Sequence, residues 1–173
     1  GHEKDSLIAL LGNEYNGVPI KYIHNDVYYK TNNIYSIFLA KEELVKDDTI
    51  LLESDLIFDE SIIDRLLTNA FPNLAVVDKY QRWMDGTVVK IDNNFDITGF
   101  VSGKDFDFDN ADNYYKTVNI YKFSKDFLNN KYVPFLDAYS KALGNNEYYE
   151  QVLKVITLLE KKDLKAMVLA GEK

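Results

Sequence analysis

Two short apolar runs constrain the fold of this chain most strongly. Thr49–Glu53 has three successive apolar residues at its centre, and Leu74–Val77 is apolar throughout, which is typical of β-strands buried on both faces. Between them, after a cap at Asp59 or Ser61, apolar residues recur at helical spacing at Ile62, Ile63, Leu66 and Leu67. A second such segment follows the cap-forming Thr31–Asn33. With a short strand predicted at Ile20–Ile23, the order is β-α-β-α-β. This order predicts an α/β fold with a mixed, mainly parallel sheet and flanking helices.

The pattern changes in the second half of the chain. Its predicted elements are a hairpin of Thr87–Ile91 with Ile97–Val101, a strand at Thr117–Phe123, a helix from Ser124 to Leu143, and a helix at Glu147–Leu159. There is no repeat and no linker, so residues 3–173 are predicted to form a single domain. Gly1 and His2 resemble the remnant of an expression tag and are excluded from this reasoning.

Composition limits the class of function. A net charge of −8 disfavours nucleic-acid binding through a basic patch. The absence of cysteine excludes disulfides, thiolate zinc sites and cysteine nucleophiles. No apolar run is long enough to span a bilayer, and the first residues do not form a secretory signal. A cytoplasmic location is therefore expected.

Asp55 is the first candidate for chemistry. It lies just beyond Glu53, at the carboxyl end of a predicted buried strand, where ligands bind in open α/β sheets. A carboxylate there can hold Mg²⁺, which in turn binds phosphate oxygens. From spacing alone, capping of the following helix by Asp55 or Asp59 is the preferred alternative.

Further candidates surround the later strands. Asp85 could lie beside a substrate, although Asp85 and the following Gly86 are also typical of an ordinary turn. Lys116 precedes a predicted strand and could contact a phosphate, or it could lie on the surface without a ligand. Acids in the segment Glu147–Glu150 would favour a helix dipole. The same acids and their adjacent tyrosines could instead bind an amine through charge and cation–π contacts. Tyr35 could contribute a further ring.

Six segments together carry a resemblance. They are Asn25, Thr31–Ser36, Leu51–Phe58, Met84–Val89, Tyr115–Tyr121 and Asn146–Glu150. Their order resembles the sugar-phosphate nucleotidyltransferase-like family, and within it the phosphocholine and 2-aminoethylphosphonate cytidylyltransferases. The resemblance covers nearly the whole chain.

The resemblance implies a Rossmann-like sheet of the nucleotide-diphospho-sugar transferase type. It implies transfer of a nucleoside monophosphate from a triphosphate, with CTP favoured, to a small phosphorylated amine such as phosphocholine or 2-aminoethylphosphonate, with release of pyrophosphate. Mg²⁺ is the expected cofactor, held by Asp55. The site residues implied are Asp55 and Lys116 as catalytic groups, and Asn33, Tyr35, Asp85, Glu147 and Tyr149 as substrate-binding groups.

The sequence also departs from the family. A glycine-rich loop with basic residues, expected near the N-terminus, is absent, and the chain stops at Ala170–Lys173 before an expected aspartate-containing segment. The interpretation is an incomplete domain, shortened at both ends, and turnover by this stretch alone is left open. Two rival hypotheses are a metal-dependent glycosyltransferase and a non-catalytic module that binds partners or forms a homo-oligomer through an unpaired sheet edge.

Overall fold

The computed structural model describes residues 1–172, and Lys173, the last residue of the predicted domain, lies outside the described part. The strands are β1 (Glu14–Tyr15), β2 (Val18–Pro19), β3 (Thr49–Leu52), β4 (Leu74–Lys79), β5 (Val88–Ile91), β6 (Ile97–Val101), β7 (Tyr114–Phe123) and β8 (Lys165–Val168). The α-helices are α1 (Lys4–Leu11), α2 (Asn33–Leu39), α3 (Lys41–Leu44), α4 (Ser61–Thr68), α5 (Lys125–Phe127), α6 (Val133–Leu143) and α7 (Glu150–Thr157). A π-helical turn at Leu128–Tyr132 joins α5 to α6.

Strands β3 to β8 form one six-stranded sheet organised around β7. One edge of β7 pairs with β4 along most of its length. The other edge is shared, because β5 pairs with the first residues of β7 and β3 pairs with its last residues. Beyond these strands, β8 lies parallel to β4 and β6 lies antiparallel to β5.

The predicted α/β class, a mixed sheet with flanking helices, is confirmed. Strands β3, β4, β5 and β8 point in one direction, while β6 and β7 point in the other. The sheet is thus mainly parallel in strand direction. Most neighbouring strands are nevertheless antiparallel, because β7 lies between β3 and β4 and runs against both. Among the described strands, β4 and β8 form the one adjacent parallel pair. A strand that returns from later in the chain cannot be placed by local sequence patterns.

Helices cover both faces of the sheet, and β4 contributes to both cores. Alternate side chains of a strand point to opposite faces. Leu74 and Val76 pack with α4 in one core, whereas Ala75 and Val77 pack in the larger core with α2, α6 and α7. This arrangement explains why the β4 run is apolar at successive positions.

Three local features differ from the sequence predictions. Ile20–Ile23 forms no strand, because the chain turns at Asn16 and Gly17 and pairs earlier, as the β1–β2 hairpin. Helix α1 and strand β8 were not predicted. The last predicted helix is shorter than expected and begins at Glu150.

Within residues 1–172, no helix combines the length and apolar character needed to cross a membrane.

Candidate functional site

A pocket opens where β7 changes partners. Between Lys116 and Ile120, neither β5 nor β3 pairs with β7, so the sheet has a gap on that edge. We call the depression over this gap the central pocket, and its volume is about 310 Å³. It is lined by Asn33, Glu53, Asp85, Gly86, Thr87, Lys116, Asn119, Tyr148 and Glu150.

Glu53 lies at the centre of this arrangement, directly after β3. The side-chain amide of Asn119 donates to its Oε2 at 2.8 Å, and that of Asn33 donates to its Oε1 at 3.4 Å. Hydrogen bonds to both oxygens fix the plane of the carboxylate. Amide donors carry no charge, so these contacts orient the Glu53 carboxylate without pairing it with a cation.

Asn33 connects three parts of the site. It is the first residue of α2, and the side chain of Asn32 caps its backbone N–H. Its Oδ1 accepts the backbone N–H of Tyr149 at 3.0 Å. Asn33 therefore holds the start of α2, the end of β3 and the start of α7 in a fixed relation.

Lys116 supplies the positive charge of the central pocket. Its ammonium group donates to the carbonyl oxygen of Thr117 at 2.6 Å and is half-buried. Burial lowers the pKa of Lys116, while the charges of Glu150, Glu53 and Asp85 oppose that change. The lysine is thus surrounded by carboxylates without being closed off from a ligand.

A tight turn brings Asp85 to the rim of the central pocket. The exposed Asp85 accepts the backbone N–H of Gly86 at 2.7 Å. Gly86 has a φ of +91°, and a Cβ added there would lie 3.5 Å from Nζ of Lys116. Glycine is favoured here because of the left-handed backbone and not because of a steric clash.

Glu150, at the start of α7, is the buried acid of the central pocket. Its side chain is 5% exposed, and its Oε2 has no hydrogen-bond partner. Burial raises its pKa to about 7, the charge of Glu53 adds to the rise, and Lys116 opposes it. A buried acceptor without a donor at a pocket wall can receive a hydrogen bond from a ligand.

Asp55 lies outside the central pocket. It is exposed and lines an adjoining depression of about 450 Å³, here called the Asp55 groove, together with Asn33, Ser36, Ile37, Leu51, Leu52, Glu53, Ser54 and Tyr149. The groove and the central pocket share Asn33 and Glu53. Ligands in the two depressions would therefore meet at these side chains.

The described residues contain no group of three or more His, Cys, Asp or Glu side chains that could hold a metal ion. When Mg²⁺ is also bound by a phosphorylated substrate, it usually needs only one or two carboxylates from the protein, because phosphate oxygens and water supply the other ligands. The exposed carboxylate of Asp55 fits that donor set.

The structure distributes the predicted site residues between the central pocket, the Asp55 groove and positions outside both. Asn33, Asp85 and Lys116 line the central pocket. Glu147 is exposed and contributes its backbone carbonyl to the N–H of Ile34. The remaining predicted aromatic residues lie away from the central pocket.

Tyr149 and Tyr35 pack against other rings of the domain, and Tyr149 also lines the Asp55 groove. Tyr149 is 2% exposed, and its ring makes an edge-to-face contact with Tyr121 at 5.8 Å between centroids. Burial raises the pKa of its hydroxyl well above the ordinary range. Tyr35 stacks on Phe38. The neighbour of Tyr149, Tyr148, is 54% exposed and lines the central pocket instead.

The sequence analysis did not single out Glu53, Thr87 or Asn119. It considered Tyr148 and Glu150 only as members of the segment Glu147–Glu150, whose acids and tyrosines could bind an amine. Glu53 precedes Asp55 by two residues, so its position at the end of the strand made it an equally good candidate for ligand binding. Asn119 looked like one residue of an ordinary strand. Its positive φ of 58° has no signature in the sequence beyond the tolerance of asparagine for that conformation.

Comparison with known proteins adds independent information. No family model matches the chain. A curated relative, the CMP-5'-(3-aminopropyl)phosphonate synthase of Streptomyces rubellomurinus (strain ATCC 31215), is 31% identical over 154 residues. That match covers 87% of this chain but 24% of the relative, so the chain spans about a quarter of that protein.

Solved structures share the fold. The inositol-1-phosphate CTP transferase of T. maritima superposes with a TM-score of 0.70 at 18% identity, and the match covers 99% of this chain and 64% of that one. The CTP:phosphocholine cytidylyltransferase of Streptococcus pneumoniae has a TM-score of 0.66 at 18% identity, with 98% and 67% covered. At such identities the superpositions establish the fold alone.

Proposed function

Because this chain belongs to the sugar-phosphate nucleotidyltransferase-like family, we propose that it is the catalytic region of a cytidylyltransferase. In this proposal it joins CMP, taken from CTP, to a small phosphate or phosphonate that carries an amine. The reaction releases pyrophosphate. The choice of CTP is supported by the activities for which the relatives are named. The choice of an amine-bearing acceptor is supported by those activities and by the charges of the central pocket.

The observation that carries the proposal is the combination of one lysine with three carboxylates in the central pocket. Lys116 suits the anionic end of the acceptor, whereas Glu53, Asp85 and Glu150 suit a cationic end. The ring of Tyr148 adds an exposed aromatic face that favours an ammonium group. A neutral sugar can donate hydroxyl hydrogen bonds to these carboxylates but brings no positive charge to offset theirs, whereas an ammonium group does both.

The Asp55 groove is assigned to the nucleotide. It adjoins the central pocket through Asn33 and Glu53, so a triphosphate in the groove would lie next to an acceptor in the pocket. Asp55 would hold Mg²⁺, which when bound supplies charge neutralisation for the triphosphate.

The chemical step follows from this placement. A phosphate or phosphonate oxygen of the acceptor attacks the α-phosphorus of CTP, a new P–O bond forms, and the bond to the pyrophosphate oxygen breaks. Both reactants are anionic, so alignment and charge compensation do most of the work. Lys116 binds the attacking anion, and the carboxylates fix its amine, so that the nucleophilic oxygen faces the groove. No covalent intermediate with the protein is required.

A matched pair of acceptors tests the proposal. Pyrophosphate release would be followed with Mg²⁺, each of the four nucleoside triphosphates, and either 3-aminopropylphosphonate or propylphosphonate, which differ only in the amine. Phosphocholine, 2-aminoethylphosphonate and sugar 1-phosphates complete the panel. We expect CTP to be preferred, and the amine to raise kcat/KM by at least about tenfold, because it gains charged hydrogen bonds.

Two variants assign the roles, and a third serves as the control. Asp85→Asn should reduce the preference for the amine, whereas Glu160→Gln, an exposed acid away from the pocket, should leave it unchanged. Asp55→Ala should abolish release with every acceptor. Equal use of the two phosphonates would refute the amine site. No release from a folded chain with any pair of substrates would refute catalysis by this stretch of chain.

A further inference from the structure

The geometry points to Asn119 as a positioning residue that aims the Glu53 carboxylate at the acceptor, and we propose that its unfavourable backbone conformation is kept for this purpose. The inference rests on the proposed function, since it assigns a role within the same site. Asn119 lines the central pocket, but the effect proposed for it passes through Glu53.

The first observation concerns the backbone. Asn119 lies inside β7 yet has a φ of 58°, a left-handed conformation that is foreign to a strand and costs free energy for any residue but glycine. Opposite it, Ala75 pairs with Tyr121 and Val77 with Thr117, so β7 carries extra residues at this point. Bulges of this kind redirect side chains and are frequent beside functional sites.

The second observation is what the bulge achieves. The redirected Asn119 amide donates to Oε2 of Glu53 at 2.8 Å. Its Oδ1 lies 3.2 Å from the hydroxyl of Thr117, which can alternatively donate to the carbonyl of Thr87 at 3.1 Å. The strain thus coincides with the stronger of the two hydrogen bonds that orient Glu53.

The third observation is the position of the bulge in the sheet. It occupies the gap between the β5 and β3 pairings, the same gap over which the central pocket opens. Regular strand geometry here would allow β3 or β5 to extend along β7, which would close the gap. Strain in the backbone is commonly retained where function requires it.

The test compares the same substitution at two left-handed asparagines. Asn119→Gly removes the amide and keeps the backbone conformation, and Asn16→Gly does the same at a φ of 50° in the exposed β1–β2 turn. We expect Asn119→Gly to raise KM for the amine-bearing acceptor about tenfold, the loss of a hydrogen bond to a charged group. The kcat should stay within about twofold, because Glu53, Asp85 and Glu150 all remain to align the bound acceptor and only uniform binding is lost. Asn16→Gly should change neither parameter.

Thermal unfolding separates this role from a structural one. Because glycine accepts the left-handed backbone, Asn119→Gly should keep its unfolding midpoint within about 3 °C of the parent, although it binds the acceptor less well. An unchanged KM in the folded Asn119→Gly chain would overturn the proposal, and so would a rise in KM that is matched by Asn16→Gly.

A second variant covers the case in which Asn119→Gly fails to fold. Asn119→Asp keeps a residue that tolerates the conformation but places a carboxylate against Glu53, so the acceptor KM should rise further. In the double variant Asn119→Asp with Glu53→Gln, the amide and the carboxylate exchange positions and can again form a hydrogen bond. The double variant should therefore have a lower acceptor KM than Asn119→Asp alone. No recovery in the double variant would count against the direct contact.

A readout without substrate keeps the two proposals distinguishable. In the ¹⁵N-labelled chain, Glu53→Gln should shift the side-chain amide resonances of Asn119, whereas Asn16→Gly should not. If the parent chain releases no pyrophosphate but this shift is seen, the proposed function fails and the positioning contact stands. If Glu53→Gln leaves those resonances unmoved, the positioning proposal fails, whatever the activity.

Discussion

The burial of Glu150 makes a quantitative prediction about stability and pH. Its pKa rises from the ordinary value of 4.5 to about 7 in the folded chain, mainly because burial penalises the charged carboxylate. Between these two values the unfolded chain has lost the proton and the folded chain still holds it. Since the folded state then binds more protons, the free energy of unfolding falls as the pH rises through this window.

The magnitude follows from the same values. At about 1.36 kcal/mol per pH unit, a rise from 4.5 to about 7 corresponds to about 3 kcal/mol, of which about 2.5 kcal/mol falls between pH 5 and pH 8. Glu150→Gln removes the titration and keeps the shape. Relative to the parent chain, the variant should therefore gain about 2.5 kcal/mol of stability between pH 5 and pH 8.

Urea unfolding followed by circular dichroism at pH 5 and pH 8 measures this difference. A comparison across pH is needed, because the new amide introduces its own cost of burial, and that cost does not depend on pH. Glu160→Gln, which changes an exposed acid to the same amide, is the matched control and should follow the parent at both pH values. Equal pH dependence in the parent and Glu150→Gln would refute the assignment of the raised pKa to this carboxylate.

Two further predictions concern packing and the rim of the pocket. Leu66→Ala leaves a cavity at a fully buried position of α4 and should lower the free energy of unfolding in urea by about 2–5 kcal/mol. Leu67→Ala, at a side chain that is 62% exposed, should lower it by less than about 0.5 kcal/mol. Similar losses in the two variants would contradict the assigned buried face of the helix. Gly86→Ala should lower the free energy of unfolding by about 1–3 kcal/mol, because φ is positive at this position. It should also lower kcat/KM for the acceptor, because the strained turn displaces Asp85. An unchanged unfolding midpoint would contradict the turn geometry.

The elements that local patterns define were predictable from the sequence. β3, β4, α4 and the β5–β6 hairpin follow from runs of apolar residues and from the polar turn between positions 92 and 96. Ser124 does cap the helix that was predicted to begin there, since its hydroxyl accepts the N–H of Phe127. These features depend on neighbours a few residues apart, which is the range that periodicity reports.

The contacts that build the central pocket were predictable only in part. Lys116 and Asp85 were identified because they flank predicted strands, but the partners of Glu53 lie 20 and 66 residues away in the chain. The insertion of β7 between β3 and β4, and the bulge at Asn119, result from tertiary pairing and not from local propensity. A single sequence contains no periodic signal for either.

The pairing of β4 with β8 has a consequence for synthesis of the chain. β4 ends at Lys79, yet its parallel neighbour begins at Lys165, so one edge of this central strand stays unpaired until the ribosome has released nearly ninety further residues. Exposed strand edges of apolar sequence are the sites at which nascent chains associate wrongly. We therefore expect the yield of native protein to depend on translation speed and chaperone supply between β4 and β8, even for variants whose final stability is unchanged.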